Sequence, residues 1–321
     1  MPMRNSFEKI NYTIRPSKQV ERKIFVEALY HLNREVLNIS DYTYVGLGSI
    51  FYHDFILFHK ALFINDMVCL EKENIHRRME FNKPYKFINL RMQSASEFIP
   101  RIKKKKKYLA WLDYDEVLIP DILQDIGGFI SALPQGSIFI ISVDVEPKLP
   151  KDLRTEYANL NENDRTEKIF DHYNSFSKHA GTVSKADITS HDLPRLVIKI
   201  IRSKIDESLL ARPSLRFFQL FNYIYNDGTE MLTLGGLIEE KKNGIKKLKN
   251  SNIYKKHYIR PQKEPLRISV PPLTTREKLF LDQLVSKNKK TNKVKFELEP
   301  ELKKNFFRFY KQYPTYQEVF L

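Results

Sequence analysis

The chain has 321 residues, 42% of them hydrophobic and 29% charged, with a formal charge of +15. That suits one large α/β domain with an extension, or two small domains, and the charge favours an acidic partner (nucleic acid, nucleotide or anionic surface) or else reflects the Lys/Asn/Ile-rich usage of an AT-rich genome. No run of about 18 apolar residues is found and Met1 to Ile10 lacks an apolar signal core, so a cytoplasmic protein without a membrane span is expected; the single cysteine, Cys69, excludes an internal disulfide and a cysteine zinc site.

Residues 1–14 read as irregular. Ser17 suits a helix N-cap, and Val20, Ile24, Phe25, Leu29, Leu32 and Val36 recur at helical spacing within Lys18 to Leu37. Arg15, Lys18, Arg22 and Lys23 cluster at the start of this helix. A solvated face is the expected reading, with an anion or substrate lid as the other. Tyr42 to Val45 is a β-rich run that leads into Gly46-Leu47-Gly48-Ser49, and a helix-like run follows (Phe51, Phe55, Ile56, Phe58, His59). Met67 to Glu71 is a second buried strand, ending on an acid. Strand, glycine turn, helix and acid-tipped strand begin a nucleotide-binding α/β unit. The glycines allow a tight turn and close approach of a ligand, and the acid can accept both hydroxyls of a ribose. A dinucleotide site wants a third small residue, where this chain has Phe51. A ligand without a pyrophosphate, such as S-adenosylmethionine, has no such need, and its carboxylate can sit near the helix N-terminus.

Asn74 to Phe81 reads as a helix broken by Asn82-Lys83-Pro84, and Phe87 to Leu90 as a third strand. Ser94 suits an N-cap, with Glu97 closing a capping box. Lys103 to Lys107 precedes strand four, Tyr108 to Leu112, and so is expected at the solvated end opposite the ligand edge. After that strand come Asp113, Asp115 and Glu116. A helix (Ile122 to Leu133), the turn Pro134-Gln135-Gly136-Ser137 and strand five (Ile138 to Val143) lead to Asp144 and Glu146. Residues 150–210 read as a helical insertion where a substrate cap would sit. Asp227-Gly228 between two β-rich runs signals a hairpin. Residues 241–260 read as a linker or mobile segment. Thr275–Val285 and Glu299–Tyr310 read as helices. The aromatics Phe306, Phe307, Phe309, Tyr310, Tyr313, Tyr316 and Phe320 are expected to pack back on the main domain, or to dock a protein partner or a second copy of the chain.

Five parallel strands, the Gly-x-Gly after the first, the acid ending the second, the Pro-Gln-Gly-Ser turn and the terminal hairpin resemble the class I S-adenosylmethionine-dependent methyltransferases over roughly residues 40–240. Arg15-Pro16-Ser17 and Tyr44-Val45-Gly46-Leu47-Gly48-Ser49 also resemble bacterial proteins labelled as O-methyltransferases. The resemblance implies an α/β fold with a Rossmann-like, seven-stranded, mostly parallel sheet and a terminal antiparallel hairpin. It implies a domain over 1–240, with 1–40 as an N-terminal helical extension, and a linker with a helical extension over 241–321. S-adenosylmethionine is the implied cofactor. Gly46, Leu47, Gly48 and Ser49 would line its methionine tail, Glu71 with Lys72 its ribose, and Ser94 and Ala95 its adenine. Asp113 would lie near the methyl donor, and Asp113 and Asp115 are the catalytic candidates. Two departures stand out: Tyr44 replaces the usual acid before the glycines, and Phe51 replaces the third small residue.

A hydroxyl acceptor must lose its proton to a base or a metal. The carboxylates after strands four and five are either Mg²⁺ ligands or polar loop residues, and His53 is either a base or a plain surface histidine. No Asn/Asp-Pro-Pro-aromatic motif follows strand four, which argues against base-amino acceptors, and Cys69 lies in the wrong strand for a pyrimidine methylase nucleophile. The implied activity is methyl transfer to a hydroxyl or carboxyl of a small molecule or nucleotide. The alternatives are a catalytically inactive methyltransferase-like component of a bacterial defence or regulatory system, and a nucleic-acid methylase.

Overall fold

The computed structural model describes residues 15–262, 264–286 and 294–314. The strands are β1 (Thr43–Leu47), β2 (Asp66–Leu70), β3 (Ile88–Arg91), β4 (Tyr108–Val117), β5 (Ile138–Asp144), β6 (Leu215–Asn226), β7 (Glu230–Glu240) and β8 (Leu266–Ile268). They form one sheet in the order β3-β2-β1-β4-β5-β7-β6-β8. β7 runs antiparallel to both neighbours, and the other pairings are parallel. The seven expected strands thus gain an eighth, Leu266–Ile268, on the outer edge of β6. At three residues between Pro265 and Pro271 it is too short to declare itself by alternation.

The helices are α1 (Pro16–Glu35), α2 (His53–Leu62), α3 (His76–Asn82), α4 (Ala95–Phe98), α5 (Pro120–Ala132), α6 (Lys151–Glu156), α7 (Glu162–Asn174), α8 (Ser177–Ala180), α9 (Leu193–Leu209), α10 (Lys241–Asn250), α11 (Thr275–Ser286) and α12 (Pro300–Phe309). They cover both faces of the sheet. Successive strand residues point to opposite faces, so Leu109 and Trp111 meet α1 and α2 while Ala110 and Leu112 meet α5 and α9. Burial on both sides explains why these strands read as continuous apolar runs. None of the described helices is long and apolar enough to cross a membrane.

The chain leaves β1 outward through β2 to β3, then returns to β4. Open α/β sheets bind ligands beyond the carboxyl ends of their strands at such a reversal, here between β1 and β4. The insertion at 150–210 is helical. Val197, Ile200 and Ile201 of α9 are buried in the core on the α5 side. α6 and α7 are anchored near the ends of β4 and β5, through the Lys151 amide on Glu116 (3.1 Å) and His172 on the Leu118 carbonyl (2.8 Å).

Two expectations along the chain change. The 241–260 stretch is no linker: it is helical over Lys241–Asn250, and Leu248, Ile253, Tyr258 and Ile259 are buried. Its apolar residues form so narrow a stripe that lysines dominate its composition. Nor is Ser17 the N-cap of α1: Arg15 holds that position and Pro16 opens the helix. The capping carboxylate comes from the β6–β7 turn, where Asp227 accepts the amides of Ser17 and Lys18 at 3.0 and 2.8 Å. A carboxylate there also meets the positive end of the helix dipole. The turn is the expected hairpin, with Asn226 opposite Glu230 and Gly228 at φ 105°. A left-handed residue is what glycine supplies in such a loop.

The tail packs back on α1. Phe306 and Phe309 are buried, Gln312 donates to Glu27 at 2.7 Å, and the Tyr313 hydroxyl donates to the Pro271 carbonyl at 2.7 Å. Tyr316, Phe320 and the stretch 1–14 lie outside the described residues.

Asp227→Ala removes the acceptor at the start of α1 and is expected to cost about 1 kcal/mol, whereas Asp227→Asn keeps an acceptor and costs less. Urea denaturation of both variants measures this. An Asp227→Ala protein as stable as the parent would refute the cap.

Candidate active site

The glycine turn at the end of β1 is built for close approach rather than for unusual backbone. The described glycines with positive φ are Gly136, Gly181 and Gly228, so neither Gly46 nor Gly48 is left-handed. The left-handed step falls on Tyr52, at φ 49°. A Cβ on Gly46 would sit 2.5 Å from the Tyr44 Oη, and one on Gly48 would sit 3.0 Å from Cys69 Sγ, the Leu70 carbonyl and Met79 Cε. The Gly48 amide donates to the Leu70 carbonyl at 2.5 Å, pinning the turn to the tip of β2. Tyr44, where an acid was expected, is buried edge-on against Phe55 and Phe58, each 4.9 Å away. Phe51 stacks on His53 at 5.5 Å. Leu47 and Ser49 are half-buried, and Ser49 Oγ accepts the Phe51 amide at 3.2 Å.

Glu71 follows β2 directly. Its amide donates to the Arg91 carbonyl at 3.0 Å and its Oε1 accepts the Glu73 amide at 2.9 Å. Burial pushes this carboxyl above its ordinary range, against the pull of the Glu73 and Lys72 amides. No basic group pairs with it among the described residues, and Lys72 is exposed. After β3, Ser94 caps α4 in the expected capping box: Ser94 Oγ accepts the Glu97 amide at 3.3 Å and the Ser94 amide donates to Glu97 Oε2 at 2.6 Å. Ala95 is buried behind it. Gly46 to Ser49, Glu71 and Ser94 thus lie at the carboxyl-end edge of β1, β2 and β3. Asp113, Asp115 and Glu116, expected after strand four, lie inside β4, which runs on to Val117, with Asp113 past the last β1 pairing and still paired to Ser142.

The largest correction concerns the basic start of α1. Lys18 and Arg22 are not on a solvated face; their side chains are 1% and 5% exposed. Lys18 Nζ lies 2.8 Å from Asp113 Oδ1 and 2.9 Å from Glu21 Oε2. It also lies 4.4 Å from the centre of the Trp111 ring and 5.0 Å from that of Tyr225. Burial works against the ammonium, but Asp113 and Glu21 outweigh it and raise its pKa. Burial likewise works to raise the Asp113 pKa, yet Lys18, with Arg22 and Arg15, holds it below the usual carboxylate range. Glu21, wholly buried, is pushed up. Arg22 Nε donates to Asp54 Oδ1 at 2.5 Å, in the first turn of α2. His53 is pushed down by burial and by Arg22, which favours neutral imidazole, and its Nε2 is buried without a hydrogen-bond partner.

The other carboxylates of this edge are also engaged. Asp115 is exposed and pairs with Lys151 at 2.6 Å. Glu116 accepts the amides of Val117 and Lys151 at 2.9 and 3.1 Å and approaches Arg154. Asp144 and Glu146 both hold Lys148. Asp113 and Asp115 are therefore tied to different bases on different helices. Among the described residues no group of three or more His, Cys, Asp or Glu side chains is placed to hold a metal ion. Lys103 to Lys107 lies exposed ahead of β4, with Lys106 on Asp66.

Sequence reasoning missed Glu21 and Asp54 as site components and gave Lys18 and Arg22 first as a solvated face, with an anion or substrate lid as the other reading. A signal existed: positions 18, 22, 25, 29 and 32 form one helical stripe, and its apolar members are core residues. Charges that continue an apolar stripe are candidates for burial with partners.

A family model described as "Putative O-methyltransferase" matches residues 10–321. No curated protein matches the sequence. Among solved structures, Trm1 from Pyrococcus horikoshii in complex with S-adenosyl-L-methionine is 10% identical, with a TM-score of 0.44 over 77% of this chain and 61% of that one. An O-methyltransferase from Bacillus cereus in complex with SAH is 12% identical, with a TM-score of 0.37 over 70% of this chain and 82% of that one. The O-methyltransferase TomG from Streptomyces achromogenes, in complex with SAM, is 12% identical, with a TM-score of 0.35 over 65% and 78%.

Lys18→Met leaves Glu21 and Asp113 without their cation. It is expected to cost about 3 kcal/mol, the lower end for breaking a buried pair because Asp113 keeps 25% of its side-chain surface. Lys18→Met/Asp113→Asn should recover part of the loss. Because the folded Asp113 pKa is lowered, its contribution is full above the ordinary carboxylate range and is lost as pH falls through the lowered value. Asp113→Asn should therefore flatten the acid limb of the stability curve. Denaturation at neutral and acid pH checks both, and an unchanged acid limb would sink the pairing.

Proposed function

The chain belongs to this O-methyltransferase family, and from that premise we propose that it transfers a methyl group from S-adenosylmethionine to a hydroxyl or carboxyl of a small molecule or nucleotide. The observation that carries the reading is the edge where the strand order reverses: a tight glycine turn on β1, an acid at the tip of β2 that no salt bridge engages among the described residues, and an ionised Asp113 on β4.

The residues present suit the cofactor. Gly46 and Gly48 let the turn close tightly on Tyr44, Cys69 and Met79, which sets the backbone that would meet the methionine tail. Glu71 has acceptor capacity left beyond its bond to the Glu73 amide and would take the ribose hydroxyls, with Lys72 beside it. Ala95, behind the Ser94 cap, would border the adenine. When bound, S-adenosylmethionine supplies an electrophilic methyl group, which leaves sulfur as the acceptor oxygen bonds to carbon and gives up its proton.

Asp113 serves this chemistry as a fixed anion rather than as a base. Lys18 holds it ionised and lowers its proton affinity, so its role is to orient positive charge in the crevice. Asp115, exposed and held by Lys151, would act from the rim near α6 and not at the same point. Burial and Arg22 favour the neutral imidazole of His53, and its Nε2 has no hydrogen-bond partner, so His53 is the candidate to take the acceptor's proton. Positioning does much of the rest, since methyl transfer needs an in-line approach at short range.

Calorimetric titration with S-adenosylhomocysteine, with NAD and ATP as controls, tests the reading. Micromolar binding of the first ligand alone is expected. Glu71→Ala should weaken it about tenfold to a hundredfold, as for loss of charge-assisted hydrogen bonds. Absence of binding by the parent protein would remove the cofactor from the proposal.

A further inference from the structure

We propose that Arg22 recognises the carboxylate of the cofactor's amino-acid tail, acting with the amino end of α2. This rests on the methyltransferase reading above. It assigns a residue of the N-terminal helix, outside the glycine turn, to the ligand.

Position comes first. The Arg22 guanidinium sits on Asp54, in the first turn of the helix that follows the glycine turn. Tyr44 joins the two: its hydroxyl fills the space where Gly46 lacks a side chain, and its ring environment includes Asp54, Asp113 and Arg22. Arg22 therefore stands next to the place where a ligand laid on Gly46 and Gly48 would end. Glu71, the ribose acid, stands at the tip of the neighbouring strand β2, so the adenosine and the carboxylate would occupy opposite ends of the crevice.

The second observation is an unmet donor. Arg22 is 4% exposed, and its Nη1 is buried with no hydrogen-bond partner. A guanidinium presents five donors in a planar fork that matches a carboxylate, and burying one unpaired is costly. Asp54 takes Nε and leaves that side of the fork unmatched. A ligand carboxylate supplies the missing acceptor.

The surroundings favour an incoming anion. α2 spans ten residues, and its N-cap, Tyr52, makes no side-chain bond to the first amides. Those amides and the helix dipole point positive charge at the same place. Lys18, Arg22 and Arg15 all bear on Asp113, while burial drives Glu21 toward its neutral form. The neutral His53 at the helix start adds no competing charge.

Calorimetry on the full chain tests the assignment with two ligands, S-adenosylhomocysteine and 5′-deoxy-5′-methylthioadenosine. Both carry the adenosine and the thioether, but only the first has the carboxylate. The parent should prefer S-adenosylhomocysteine. Arg22→Lys keeps a cation for Asp54 but loses the fork, and should lower S-adenosylhomocysteine affinity about tenfold or more while leaving methylthioadenosine binding unchanged. Should thermal melting show that this variant is unfolded, Arg22→Gln/Asp54→Asn removes the charges as a pair and carries the same expectation. Unchanged discrimination in the folded variant overturns the assignment, as does a parent that binds both ligands equally. A parent that binds neither overturns the methyltransferase reading itself, a result distinct from both.

Discussion

A single buried ammonium ties the first helix of this protein to the centre of its sheet. Lys18 reaches from α1 to Asp113 on β4, with Glu21 and the rings of Trp111 and Tyr225 around it. Such an arrangement gains little net stability over an apolar contact, because the desolvation of Lys18 and Asp113 offsets most of their attraction. Its value is geometric. An ion pair has one good distance and one good direction, so the helix can seat in only one register against the strand. That register puts Arg22 on Asp54, in the first turn of the helix that follows the glycine turn. The polar line continues inward, from the Trp111 indole N–H to Ser142 (3.0 Å) and from Ser142 to Thr233 (2.8 Å), across three adjacent strands. The Trp111–Ser142–Thr233 bonds tie these strands together through their side chains as well as their ladders.

Much of the architecture was legible because local and global signals agree. The alternation of short apolar runs with helical patterns specifies a parallel sheet, and the Asp227-Gly228 and Ser94–Glu97 signals specify a turn and a helix start on local chemistry alone. The glycine turn was legible as a tight turn, and the structure adds that Gly46 and Gly48 are required by close neighbours, Tyr44 and Cys69, with neither glycine at positive φ. What sequence periodicity could not show was pairing over distance. Lys18 reads as solvated until Asp113, 95 positions away, is known to face it. Asp115 and Glu116 read as either metal ligands or polar loop residues until Lys151 and Arg154 are seen to hold them. The same blindness hid α10, whose buried face is only Leu248 and its neighbours among lysines.

The candidate site is thus divided between two kinds of information. The part that would meet the adenosine, Glu71 and the turn after β1, is written in contiguous motifs. The part that would meet the tail and the acceptor is assembled from α1, α2 and β4 and exists only in three dimensions. Motifs of the first kind can place a chain in a superfamily. The second kind carries what distinguishes this chain from others of similar topology.

The cap of α1 has a consequence for how the molecule is made. The amides of Ser17 and Lys18 are satisfied by a carboxylate 210 and 209 positions further on. The helix therefore leaves the ribosome long before its cap does, and it must wait, partly formed, until the β6–β7 hairpin closes. Contacts of such sequence separation form late because the intervening chain must first be ordered. During that interval Glu21, Asp54 and Asp113 are already there for Lys18 and Arg22, but the amides of Ser17 and Lys18 lack the carboxylate that accepts them. The ligand crevice, though built largely from the first half of the chain, is completed by one of its last turns, so a chain released before residue 227 would carry every motif of the site without its seated first helix.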